Sequence, residues 1–206
     1  MQIRNEAEEH LRVIRSLMEK ATIYRAVSAP TALAGGIAAV GVAAPPLQTL
    51  FDQWCGASSF HVRWLIALFV TLLVNTWLIL REARRRGDPL ISPGMKAAIR
   101  ALLPPMFCGG IFFAQFNAVQ APAFLAIFYG LGLLATGHFA PRSIMWLGWS
   151  FLLAGLTIFT LIFTDPFNFA VLPDVTMVAT FGGFHIIYAA CTWPRRTPSA
   201  ETSGTP

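Results

Sequence analysis

The residue with the most versatile chemistry in the apolar part of this chain is His185. It lies about 16 Å along a helix from Asp174, and Tyr188 and Thr192 follow on the same helical face. Such a histidine could form an interhelical hydrogen bond, contact a ligand, or bind haem if a second axial ligand lay at matching depth. The three other histidines do not fall at that depth. We favour the hydrogen bond, and keep as alternatives a ligand contact and a haem protein or other membrane enzyme centred on His185.

Neutral polar side chains form two further stripes. Thr157 and Thr160 lie on one helical face, and Thr71 and Asn75 are one turn apart on another segment. Polar stripes in apolar helices face other helices or a small-molecule pocket between them. The candidate ligand-binding residues are therefore Thr71, Asn75, Thr157, Thr160, His185 and Tyr188, with hydrogen bonding that holds the helices together as the alternative role.

Catalytic and metal-binding motifs are absent from the sequence. It contains no HExxH, GxSxG or GxxxxGK pattern and no paired aspartates. The three cysteines form no CxxC pair. No charged residue lies deep in an apolar segment, which argues against proton-coupled pumps, carboxylate ion sites and voltage sensors. We predict no catalytic residue, no metal and no cofactor, and expect the protein not to be an enzyme.

The elements that position these residues follow from composition. The chain has 206 residues, of which 55% are hydrophobic and 12% charged, whereas soluble domains carry about 25% charged residues. Its uncharged stretches each fit one helix of about 20 residues across a bilayer, and the longest fits two joined by a tight turn at Asn117–Pro122. We predict an all-α, polytopic integral membrane protein with six transmembrane helices near residues 28–51, 62–80, 98–118, 120–139, 143–164 and 174–193.

The basic residues predict the orientation of this bundle. Short cytoplasmic loops retain Lys and Arg. With six spans, every basic residue except Arg63 falls on the side of the two termini. We therefore expect a cytoplasmic N-terminus and C-terminus, with residues 195–206 as a disordered tail. The net charge of +5 reflects this topology, and we expect contact with the lipid bilayer and no direct nucleic-acid binding.

Residues 1–25 form a predicted cytoplasmic amphipathic helix. Leu11, Ile14 and Met18 recur on one helical face, while the charges of the polar face nearly cancel. Helices that lie on lipid usually have a strongly basic polar face. We therefore expect Leu11, Ile14 and Met18 to contact protein: the bundle itself, a second copy in a homodimer, or a cytoplasmic regulatory protein. A lipid surface is the remaining alternative.

Three Gly-Gly pairs stand in the apolar stretches, at Gly35-Gly36, Gly109-Gly110 and Gly182-Gly183. The first two pairs each follow a proline by five residues, which could be the trace of a helix-hairpin repeat. Close contact between helices is the simpler interpretation, because small residues let helix backbones approach one another.

Two segments of the chain have a distinctive sequence. The first is the charged stretch 17–25 followed by Ser28-Ala29-Pro30, and the second is the turn Ala140-Pro141-Arg142-Ser143-Ile144 followed by Leu147-Gly148. Together they resemble a group of uncharacterised bacterial six-span inner-membrane proteins with an N-terminal charged helix. The resemblance covers about a fifth of the chain and implies a bacterial inner (plasma) membrane location and action beside a DNA-binding regulator. It implies no catalytic residue.

Three functions of different classes follow. The first is a non-enzymatic regulatory or sensory membrane protein whose N-terminal helix contacts a partner or second subunit. The second is a small-molecule transporter or channel, and the third is the haem protein or enzyme centred on His185. The absence of intramembrane carboxylates and of paired histidines leads us to favour the first.

Overall fold

All regular structure in the described part of the chain is helical. The computed structural model describes residues 29–56, 59–86, 93–137, 140–164 and 173–193. The helices within these ranges are α1 (Ala29–Val42), α2 (Pro45–Cys55), α3 (Ser59–Arg86), α4 (Pro93–Gln115), α5 (Ala121–Ala135), α6 (Arg142–Thr164) and α7 (Pro173–Thr192). The all-α fold class predicted from the sequence is therefore confirmed for these residues.

Helix length distinguishes the segments that can cross a bilayer unaided. Helices α3, α4, α6 and α7 are long and apolar enough, and α1 with α2 would make a fifth crossing although the pair is bent by 65°. Helix α5 is apolar but has 15 residues, or about 22 Å, less than the hydrocarbon core of about 30 Å. By length alone, four or five of the six expected spans have a matching helix.

The first expected span, residues 28–51, is not one helix. Helix α1 ends at Val42 and α2 begins at Pro45, with prolines at its first two positions. Because Pro46 has no backbone N–H, the carbonyl of Val42 cannot receive the usual helical hydrogen bond from four residues ahead. Nη1 of Arg63 donates to that carbonyl instead, at 3.1 Å. The two prolines thus end α1 and redirect the chain.

The tight turn expected at Asn117–Pro122 lies between α4 and α5. Oδ1 of Asn117 accepts the backbone N–H of Val119 and of Gln120, both at 3.1 Å. A side chain that bonds its own backbone two or three residues ahead stabilises a turn. The long uncharged stretch is therefore divided into two helices where the sequence predicts.

The helices pack in two groups that meet at α7. Helices α4, α5 and α6 pack in chain order, and α1 packs against both α3 and α7. Helix α7 also contacts α6. Because α1 packs on α7, the first and last described helices are neighbours in space. The contact between α5 and α6 depends on small residues, since a Cβ added to Gly130 would lie 2.6 Å from the backbone nitrogen of Leu152.

Helix ends that are distant in the sequence meet at one end of the bundle. Arg63, near the start of α3, contacts both Val42 at the end of α1 and Asp174 at the start of α7. Nε2 of His61 donates to the carbonyl of Phe116, just beyond α4. Successive helices therefore alternate in direction, apart from the short α2.

Candidate functional site

An aromatic cluster occupies the region where α5, α6 and α7 converge. It comprises Tyr129 on α5, Phe151 on α6, and Phe181, Phe184 and His185 on α7. Phe151 lies at its centre and is fully buried, with its ring 4.7 Å from that of Tyr129 and 4.8 Å from that of Phe181. The imidazole of His185 is thus packed among aromatic rings from three helices.

Both ring nitrogens of His185 are hydrogen-bonded. Nδ1 lies 2.8 Å from the carbonyl of Phe181, and Nε2 lies 2.9 Å from the hydroxyl of Tyr129. A carbonyl only accepts, so Nδ1–H donates to Phe181, and in the neutral imidazole Nε2 accepts the Tyr129 O–H. The expected interhelical hydrogen bond of His185 is confirmed, with Tyr129 as its partner.

A π-helical segment places His185 in this cluster. Residues Val178–Phe184 have π geometry, and α-helical geometry resumes at His185. Such segments are rare, cluster at functional sites, and change the direction in which later side chains point. The segment also contacts α1, since a Cβ added to Gly36 would lie 3.0 Å from the carbonyl of Gly182 and 2.7 Å from Cγ1 of Ile186.

A second polar cluster lies at the end of the bundle where α1, α3 and α7 meet. Nη2 of Arg63 is 3.0 Å from Oδ2 of Asp174, and Nε1–H of Trp64 donates to Oδ1 of Asp174 at 2.9 Å. Arg63 is 4% exposed and Asp174 is 20% exposed. A charge this buried needs a paired counter-ion and further hydrogen bonds. The carbonyl of Val42 accepts a second bond from the guanidinium and Trp64 donates to the carboxylate, whereas Nε of Arg63 has no hydrogen-bond partner among the described residues. Together these contacts join three helices.

The threonines of α6 do not contribute to either cluster. Thr157 and Thr160 are exposed, and their hydroxyls donate to the carbonyls of Leu153 and Leu156 in their own helix. Such bonds satisfy a hydroxyl without any partner from another helix. Thr157 and Thr160 thus make no hydrogen bond to another described helix, and ligand binding by this stripe stays a prediction.

Thr71 and Asn75 belong to α3, which packs on a different face of α1 from α7, the helix of His185. Gly35 of α1 faces Thr71, whose Cγ2 would be 3.1 Å from an added Cβ, while the adjacent Gly36 faces α7. The hydroxyl of Thr71 donates to its own helix, at the carbonyl of Ala67. Oδ1 of Asn75 is buried and, within the described part of the chain, has no hydrogen-bond partner. The six candidates are thus divided among three places.

Tyr188 is the one further candidate that belongs with His185. It lies one turn beyond His185 on α7 and is buried in the same core as Phe151. The candidate partner-binding residues Leu11, Ile14 and Met18 lie outside the described residues. Among the residues that the structure describes, no group of three histidine, cysteine or acidic side chains could hold a metal ion.

Sequence reasoning missed Tyr129, Arg63 and Asp174 as contact residues. Arg63 and Asp174 carried a usable signal, since both fall at the ends of spans on the same predicted side. No sequence feature predicted the contact of Tyr129, because it stands in an apolar run without polar neighbours that would indicate its depth in the bundle or the helix it faces.

Comparisons of the chain with protein-family models, with curated proteins and with solved structures found no match. The resemblance to bacterial inner-membrane proteins therefore stays a prediction.

Proposed function

We propose that this protein is an integral membrane protein that crosses the bilayer six times. The observation that carries the proposal is the large apolar side chains exposed along the outer faces of the long helices. Examples are Leu68 and Phe69 on α3, Phe107 on α4, Phe163 on α6 and Ile187 on α7. Extensive exposed apolar surface is unfavourable in water, and lipid acyl chains cover it without cost.

The alternation of the helices favours six crossings over the four or five that length alone supports. Contacts among Val42, Arg63 and Asp174 put the end of α1 level with the starts of α3 and α7. Helix α5 must then run through the bundle between α4 and α6. Much of α5 is buried between these neighbours, so it does not have to match the full thickness of the lipid around it.

Exposed basic residues favour cytoplasmic termini. Arg81, Arg84 and Arg85 lie at the end of α3, and Lys96 and Arg142 lie at the starts of α4 and α6. The alternation puts all of them at the end of the bundle opposite Arg63. Basic residues collect on the cytoplasmic side of a membrane.

Reporter fusions test this topology. A cytoplasmic reporter should be active when fused after residues 25, 90 and 196, and a reporter active outside the membrane should work near residues 56, 120 and 168. The fusion at residue 56 distinguishes a crossing by α1 from a re-entrant pair. Exchanged activities at 90 and 168 would contradict the model.

Within this class we infer a non-enzymatic regulatory or sensory role, with residues 1–25 as the contact for a cytoplasmic partner or second subunit. The support is that the ionisable side chains of the two polar clusters bond to other residues of the bundle, although Oδ1 of Asn75 and Nε of Arg63 have no partner in the described part of the chain. His185 is bonded to Tyr129, and Arg63 is paired with Asp174. Groups used in this way hold helices together and are not oriented toward a substrate.

Crosslinking from detergent tests the role of the N-terminal helix. The double variant Leu11→Asp and Met18→Asp should release a partner or weaken self-association, because it places charge on the apolar face. The control is Arg12→Gln with Lys20→Gln, which changes the polar face and should retain the contact. A double Asp variant that keeps every crosslink would contradict partner recruitment.

A small-molecule transporter or channel is the second candidate, and Asn75 is the observation that favours it. Its buried Oδ1 would accept a hydrogen bond from a ligand between α1 and α3. Ligands that raise the melting temperature of the protein should lose this effect in Asn75→Leu and keep it in Thr160→Val. Equal loss in both variants would speak against this site.

Haem at His185 has less geometric support, because axial ligation needs a free ring nitrogen. Nδ1 and Nε2 are both already hydrogen-bonded, to Phe181 and Tyr129. We expect no Soret absorption band from the purified protein, and such a band in wild type that disappears in His185→Leu would restore the haem hypothesis.

A further inference from the structure

Helix α2 presents its apolar face outward. Leu47, Leu50 and Trp54 follow one another on one side of the helix and are 37%, 48% and 81% exposed. The opposite side carries the polar residues Gln48, Thr49, Asp52 and Gln53. No residue of α2 is buried, so the rest of the described chain leaves this face uncovered.

We infer that α2 lies flat in the membrane interface, with Leu47, Leu50 and Trp54 inserted among the lipid acyl chains of the outer leaflet. The inference rests on the proposed six-crossing topology. Helix α2 has 11 residues, about 16 Å, and could cover only about half of the hydrocarbon core. Its 65° bend from α1 directs it away from the crossing direction.

The position of α2 in the chain restricts what can cover it. Ala43 and Ala44 join it to the end of α1, and residues 56–58 join it to the start of α3. Both of those ends lie at the level of Arg63 and Trp64, which form the polar cluster of the bundle. Helix α2 is therefore held at the boundary between lipid and water. Tryptophan side chains are enriched at this boundary.

Lipid fits this face better than a second copy of the chain does. A stable protein interface buries about 800 Å² on each partner, and three partly exposed side chains on a short helix supply well under that area. The neighbouring helices expose apolar residues too, among them Val40 on α1 and Leu65 on α3. The uncovered face therefore adjoins surface already assigned to lipid.

The charge of α2 predicts how its binding depends on lipid type. Interfacial helices that bind from solution use basic residues to reach anionic lipid. Helix α2 has none, and its single charged residue is Asp52 on the polar face. Its covalent connections to α1 and α3 replace that attraction. We expect its depth to be the same in neutral and in anionic bilayers.

Spin-label accessibility in proteoliposomes tests the inference. In the full chain with Cys55, Cys108 and Cys191 changed to Ser, a nitroxide is attached at Leu50→Cys or Trp54→Cys. Matched polar-face labels are at Thr49→Cys and Gln53→Cys, and a label at Phe69→Cys reports on α3 within the proposed membrane core. Each face of α2 carries two alternative label positions, so that the measurement can still be made on that face if one variant does not fold.

We expect the labels at 50 and 54 to collide several-fold more often with oxygen than with a water-soluble nickel reagent, and the labels at 49 and 53 to show the reverse. If the labels at 50 and 54 are accessible to nickel while the label at 69 gives a lipid-like signal, the inference about α2 is overturned and the membrane topology is not. Shielding of 50 and 54 from both reagents would also overturn it, and dipolar broadening would then identify a second copy. Nickel access at 69 would overturn the membrane topology itself.

Discussion

The hydrogen bond between Tyr129 and His185 yields a prediction for a single hydroxyl group. Tyr129→Phe removes the donor and leaves Nε2 of His185 buried without a partner. Loss of one such bond between membrane helices costs about 1 kcal/mol. Denaturant titration in detergent should show this decrease in the free energy of unfolding.

The control for this change is Thr160→Val. Thr160 is exposed and bonds only its own helix, so we expect a change within about 0.5 kcal/mol. The double variant Tyr129→Phe with His185→Leu should lose less than the two single variants combined. Strict additivity would mean that the hydrogen bond does not contribute to stability.

The ion pair between Arg63 and Asp174 should be far more sensitive to removal of one partner. Asp174→Asn leaves the guanidinium of Arg63 buried without its counter-ion, and a broken buried pair costs about 3–5 kcal/mol. The same titration, or thermal unfolding in detergent, measures the loss. Asp52→Asn removes an exposed acid of α2 and is expected to have little effect.

Removing both charges distinguishes pairing from general disruption. Arg63→Met combined with Asp174→Leu takes away the buried charge as well as its partner, and buried pairs replaced in this way often retain stability. The double variant should therefore be more stable than Asp174→Asn alone. A double variant as unstable as the single one would show that the carbonyl of Val42 depends on Arg63 and the indole of Trp64 on Asp174.

The sequence predicted some of these contacts and not others, for a physical reason. The depth of His185 along its helix follows from counting residues, and a buried imidazole needs a partner. The identity of that partner depends on which helices are neighbours and how each is rotated, which no local pattern encodes. The same limit explains Thr157 and Thr160, whose spacing shows a shared face but not its direction.

At the scale of helices, the close approach of α5 and α6 predicts a sharp difference between two glycines. A Cβ at Gly130 would lie 2.6 Å from the backbone of Leu152, whereas at Gly110 it would meet nothing within 4 Å. Gly130→Ala should force the helices apart and cost about 1–3 kcal/mol. Gly110→Ala, the matched control, should be neutral. Equal stabilities in detergent would argue that α5 and α6 are not in contact.

The boundaries of most helices follow from the positions of charges and turn residues, and α1 is the exception. Arg142 and Thr164 bound α6 close to its expected range, and Asn117 marks the turn before α5. The absence of a charge from residues 28–51 predicts a single span there. Pro45 and Pro46 nevertheless mark the end of α1, because Pro46 has no N–H to donate to the carbonyl of Val42. A proline pair does not end every helix, since Pro104 and Pro105 lie inside α4.

At the scale of the whole molecule, contact between the first and last described helices predicts the behaviour of a cut chain. A specific protease site inserted after Arg86 would separate α1–α3 from α4–α7. The two fragments should still co-purify in mild detergent, because α1 packs on α7 and Arg63 pairs with Asp174 across the cut.

A weakened interface provides the control for this cleavage experiment. Gly36→Leu would place a large side chain against Gly182 and Ile186, and the fragments should then separate on size-exclusion chromatography. Wild-type fragments that separate as readily as this variant would contradict the packing of α1 on α7.

The π-helical segment of α7 is a place where the chain can lose one residue without changing the direction of the side chains that follow. A π turn contains one residue more than an α turn, so a chain shortened by one residue within Val178–Phe184 could wind as an unbroken α-helix and still direct His185 toward Tyr129. Deletion of the exposed Ile187 has no such compensation, because it turns Tyr188 by about 100° away from the core. We therefore expect single-residue deletions to be tolerated between Val178 and Phe184 and to be disruptive a few residues later.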